Sequence, residues 1–125
     1  MKESLPSKAQ QIETIINSKA YELTLKYAGR DESGSPEYSK VFTVTRKEIE
    51  EYIKKHYRLN NLPFVFSSIG TKDGIYIIPV PGGYHVYYQE RGICDPDYVV
   101  PTEEDAWKFY VDFTLNRSGT GLKWE

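Results

Sequence analysis

The chain has 125 residues, 39% of them hydrophobic and 27% charged, with a formal net charge of −2. That length suits one domain, and the mix of apolar and charged residues is that of a globular rather than a disordered chain. One cysteine, Cys94, excludes an intramolecular disulfide and a cysteine-only metal cluster, and no apolar run approaches the eighteen residues of a membrane span.

The opening MKESLPSKAQQ lacks the apolar core of a signal peptide, so the expected location is the cytoplasm, with no membrane partner. Ser7 and Gln10 have capping-box spacing, and Ile12, Ile15 and Ile16 follow at helical intervals, which predicts a first helix over about 7–18. In AYELTLKYAG the residues Tyr21, Leu23, Leu25 and Tyr27 alternate as in a strand. Ile16, Ala20, Leu23 and Tyr27 would equally continue a helix face, and the alternation tips the balance towards a strand. GRDESGSPEYSK reads as a loop, and Val41–Val44 as a short strand. Thr45 and Glu48 form a second capping box, opening a helix whose inward stripe is Ile49, Tyr52, Ile53 and His56.

Phe64–Phe66 and Ile75–Ile78 are predicted strands separated by a turn at Gly70–Gly74. Pro81-Gly82-Gly83 then reverses the chain into a strand over 84–90, and Gly92 begins a bend towards a short strand, Tyr98–Val100. Thr102 caps a final helix with acids in its first turn and a core stripe of Ala106, Phe109, Tyr110 and Phe113. A loose tail is expected from about 117. Together these elements predict a single α+β domain over 1–125. Its core is an antiparallel sheet of four to six strands, with two or three helices packed mainly on one face.

Charge is unevenly spread. Residues 1–60 carry eleven Lys or Arg and nine Asp or Glu, whereas residues 84–113 carry seven acids against Arg91 and Lys108. An acidic half repels phosphate backbones and attracts basic partners, so nucleic acid is not an expected ligand. Eleven tyrosines add rings that bury a face while keeping a hydroxyl wet, a property of contact surfaces. In a strand over 84–90, Val86 and Tyr88 would meet the last helix, leaving His85, Tyr87 and Arg91 towards solvent or a partner.

Chemistry is weakly signalled. His56, His85 and Cys94 show no metal-ligand spacing, so no metal or cofactor is expected. His85 and Cys94 are close enough in sequence to meet across a bend, but no third orienting residue accompanies them. Gly82-Gly83 lacks the Lys-Ser/Thr of a phosphate loop. The chain is not expected to be an enzyme.

The run Y-x-V-Y-Y-x-E-R-G at Tyr84–Gly92, followed by T-E-E-D-A at Thr102–Ala106, resembles the C-terminal portion of small immunity proteins from bacterial polymorphic-toxin and contact-dependent inhibition systems. The likeness covers about residues 74–115. It implies binding and neutralisation of a cognate toxin domain, often a basic nuclease, through one acidic, tyrosine-bearing surface. Tyr87, Glu90, Asp95, Asp97, Glu103 and Glu104 are its contact candidates. A small regulatory or adaptor domain that takes a protein ligand on its exposed sheet is the alternative.

Overall fold

A computed structural model describes residues 5–125; Met1–Ser4, part of the start expected to lack a leader core, lies outside the described residues. The fold is α+β. Its elements in chain order are α1 (Lys8–Ile16), α2 (Ala20–Tyr27), α3 (Arg46–His56), β1 (Val65–Phe66), β2 (Gly74–Val80), β3 (Gly83–Glu90), β4 (Ile93–Val100) and α4 (Glu103–Asn116), with single 3-10 turns at Tyr38–Lys40 and Leu59–Asn61. The described residues divide into two compact units, one of residues 5–52 with 111–125 and one of residues 53–110. α3 and α4 each contribute to both. No helix among the described residues is long and apolar enough to cross a membrane.

The first unit is helical. Ser7 accepts a hydrogen bond from the Gln10 amide at 3.1 Å and starts α1, which buries Ile12, Ile15 and Ile16. The next segment is a helix rather than the expected strand. Ala20, Leu23 and Thr24 are its buried residues, a 3.6-residue spacing, while Tyr21 of the alternating set is exposed. Residues 41–44 likewise form no strand. The Thr43 amide donates to the side chain of buried Gln11 at 2.8 Å, and the Phe42 amide to the Tyr38 carbonyl, so no ladder is needed to satisfy them. Gln11 also donates to the Pro6 carbonyl and to Thr43 Oγ1.

The expected capping box at α3 is present in both directions. The Thr45 amide donates to Glu48 at 3.0 Å, and the Glu48 amide donates to Thr45 Oγ1 at 3.2 Å. The His56 side chain, expected on the inward stripe, is exposed, while Ile49 and Ile53 are buried. The chain end is not loose to its last residues. Trp124 is buried edge-on to Phe42 at 5.9 Å, and its carbonyl accepts from the Arg46 amide.

Tyr52 donates to Glu13 Oε2 at 2.8 Å. Burial first, and the neighbouring carboxylate second, push its phenol up to about 12. The folded pKa therefore exceeds the ordinary value near 10. Its stabilising effect is complete below pH 10 and is lost as pH rises towards 12. Thermal melts from pH 9 to 12 should show a steeper fall for the native chain than for Tyr52→Phe, and equal slopes would contradict the assignment.

The second unit is built on one sheet of order β1-β2-β3-β4. β1 runs parallel to β2 and the other pairs are antiparallel, so the sheet is mixed. The register puts Ile75, Ile77, Tyr84, Val86, Tyr88, Tyr98 and Val100 on one face, and Tyr76, Ile78, His85, Tyr87, Asp97 and Val99 on the other. On the first face Phe109 of α4 stands edge-on to Tyr98 at 5.7 Å. On the second face Tyr76 and Tyr87 stack 4.7 Å apart, 4° from parallel, and both are buried. The loop between β1 and β2 lies beside them. Tyr76 donates to the Lys72 carbonyl at 2.6 Å, and Gln89 Nε2 donates to the carbonyls of Gly70 and Lys72.

Candidate protein-binding surface

All six sequence-derived contact candidates belong to the second unit, and they do not form one patch. From Tyr84 to Glu90 β3 rises six residue steps, about 20 Å at 3.3 Å per step. Glu90 pairs with Ile93 at one end of the β3–β4 ladder, and Tyr84 with Val100 at the other. Only two residues separate Val100 from Glu103, so Glu103 and Glu104 sit at that second end, far from Glu90.

Tyr87 must be withdrawn as a contact. It is 4% exposed, stacked on Tyr76 and 4.6 Å from the His85 ring. Its phenol is pushed up by burial first, then by Tyr76, Cys94 and Asp97. The sequence assigned it to an open face because strand parity alone cannot show that a neighbouring loop folds over half of that face.

Glu90, Asp95 and Asp97 are exposed on the β3–β4 hairpin. The hairpin closes through Arg91 and Gly92, whose φ values of 52° and 80° are those of a two-residue type I′ turn. Glu90 accepts from the Tyr88 hydroxyl at 3.0 Å. Asp97 Oδ1 lies 2.6 Å from His85 Nε2. The ladder shifts register between Tyr87 and Gln89, so Asp95 and Pro96, joined by a cis peptide, stand opposite the single residue Tyr88. D-P-D resembles a turn in the sequence, which is why only Tyr98–Val100 was expected as strand; the bulge instead lets 93–100 run as one strand with Asp95 and Pro96 unpaired.

β4 is an edge strand, and the residues missed by sequence reasoning are apolar ones on it. Ile93 is 69% exposed, Val99 60% and Tyr98 47%. Val99 shares its face of the sheet with Asp97, Tyr98 stands on the opposite face, and Ile93 lies beside Glu90 at the turn, so apolar side chains and carboxylates are mixed along the edge. Tyr98 and Val99 lay on a predicted short strand and Ile93 in a predicted bend, and no local pattern distinguishes an exposed apolar residue there from a buried one.

Glu103 and Glu104 line a different feature, a cavity of about 630 Å³ bounded by Tyr57, Arg58, Tyr84 and Trp107. Lys54 Nζ pairs with Glu104 Oε1 at 2.5 Å across its rim. Neither a family model nor a curated protein or solved structure matches this chain.

The pairing considered between His85 and Cys94 is not made. Cys94 sits opposite Gln89, four residues and about 13 Å along β3 from His85, and its thiol lies 3.6 Å from Gln89 Oε1. No three His, Cys, Asp or Glu side chains among the described residues converge as a metal-binding group.

Proposed function

We propose that the chain is an immunity-type protein that binds and neutralises a basic toxin domain in the cytoplasm through its β3–β4 hairpin. One observation carries this: the hairpin and its edge strand leave Ile93, Tyr98 and Val99 exposed in the same short stretch of chain as the exposed carboxylates of Glu90, Asp95 and Asp97. Desolvated apolar side chains slow dissociation of a complex, and surrounding acids speed its formation with a basic partner while rejecting acidic ones. The toxin is a protein ligand; nucleic acid would be repelled by the same hairpin.

The test is growth rescue. An immunity gene should follow a toxin gene directly, so the C-terminal domain encoded upstream is expressed with and without this chain. Survival only with the chain is the expected outcome. Death in both cultures, with the chain expressed and folded, would refute the proposal. The regulatory or adaptor alternative is favoured by the cavity at Tyr57, Tyr84 and Trp107, which offers a seat for a peptide side chain. It predicts no toxin gene alongside.

A further inference from the structure

We infer that the partner adds an extended, Lys- or Arg-bearing strand to the outer edge of β4, hydrogen-bonded at Asp97 and Val99; this deepens the protein-binding role proposed above and rests on it. The geometry follows from two hairpins. In a two-residue hairpin the residues flanking the turn exchange both backbone hydrogen bonds, and pairs then alternate between bonded and open. Val80 and Gly83 flank the turn at Pro81 and Gly82, so Gly83, His85, Tyr87 and Gln89 direct their amides and carbonyls to β2. Glu90 and Ile93 flank the turn at Arg91 and Gly92, and the same count directs Tyr84, Val86 and Glu90 to β4. The two counts agree.

On β4 the inward residues are therefore Ile93, Tyr98 and Val100, the partners of Glu90, Val86 and Tyr84. Cys94, Asp97 and Val99 point their N–H and C=O groups away from the sheet. The bulge at Asp95 and Pro96 interrupts this edge, and Pro96 has no amide to give. What remains continuous is Asp97 to Val99: two donors and two acceptors in a row, beside an exposed valine and an exposed tyrosine.

Charge selects the occupant. A second copy of this chain laid along the same edge would bring two Asp95 and two Asp97 carboxylates to one seam, which opposes self-pairing. A strand carrying Lys or Arg meets those carboxylates with opposite charge, and alternate apolar residues on it would meet Val99 or Tyr98.

The test uses backbone chemistry. Val99→Pro removes only an outward amide and is tolerated on an edge, whereas Val99→Ala keeps the amide and serves as control. Amide spectra of the isotope-labelled protein are titrated with an end-capped ten-residue peptide of alternating Lys and Val, and with its Glu/Val counterpart. Shifts at Asp97 and Val99, at least tenfold tighter binding of the Lys peptide, and loss of binding in Val99→Pro but not Val99→Ala are expected. Equal response to both peptides, shifts centred on Arg58 and Trp107, or unchanged binding by Val99→Pro would overturn the inference. So would β4 shifts that depend on protein concentration alone, which assign the edge to a second copy. Should Val99→Pro fail to fold, exchange of the Val99 amide in the native chain decides. It should slow at least tenfold with saturating Lys peptide, and no slowing refutes strand addition. In the growth assay, rescue by Val99→Pro equal to the native chain removes strand addition and leaves neutralisation standing. Peptide binding without rescue does the reverse.

Discussion

Gly83→Ala is expected to destabilise the fold by about 3 kcal/mol, near the upper range for a single substitution, lowering the melting temperature by roughly 10 °C. Gly83 opens β3 at φ 156°, and a Cβ built there would lie 2.0 Å from the Val100 carbonyl oxygen and 3.0 Å from Pro101 Cα. Both obstacles are backbone, at the point where β4 leaves the sheet for α4, so no side-chain rotation relieves the overlap. The chain must shift where Tyr84 pairs with Val100. Gly82→Ala is the control. Gly82 has φ 84° and open space around the position of a Cβ, so only the conformational term of about 1–2 kcal/mol applies. Melts of the two variants side by side decide it, and a Gly83→Ala protein no less stable than Gly82→Ala would contradict the packing described.

Reversing charge on the hairpin should act on binding instead. Glu90→Lys together with Asp95→Lys is expected to weaken the complex with the cognate toxin domain about a hundredfold, equivalent to 1.4 kcal/mol for each reversal. Both side chains are exposed, so the melting temperature should move by no more than a few degrees. Glu103→Lys with Glu104→Lys changes the same net charge at the far end of the ladder. That pair should alter affinity less than threefold, because its carboxylates face the cavity shared with Lys54 and Arg58. Calorimetric titration of both double variants separates a local surface from a general effect of net charge. Comparable losses in the two would place the contact elsewhere or spread it over the whole acidic half.

Local signals in the sequence were sound where one short-range interaction decides the conformation. Ser7, Thr45 and Thr102 each start a helix, and Thr102 accepts from the Asp105 amide at 3.1 Å, because a hydroxyl and a free amide three residues on need nothing else. Pro81-Gly82 and Arg91-Gly92 each reverse the chain because their glycines supply positive φ. The α+β class, the two strands joined at Pro81-Gly82 and the final three residues of β4 followed from such signals, whereas Ile93–Asp97 did not. They failed at 20–27 and 41–44, where apolar spacing suits two conformations and the choice depends on what the backbone meets. Gln11 reaching Thr43 across 32 residues is not visible to any local pattern.

The candidate surface divides in the same way. Which residues carry charge, and that the last third of the chain is acidic and rich in phenol rings, belong to the amino-acid sequence, since composition survives any fold. Which of those groups share a surface was decided by strand register and by a covering loop. A ladder of eight residues holds Glu90 about 20 Å from the start of α4, a one-residue bulge carries Asp95 and Pro96 into β4, and a loop closing over Tyr76 takes Tyr87 out of reach of any partner. Register and covering loops are set by contacts between distant segments, so the open amides of Asp97 and Val99 exist only once the sheet has formed.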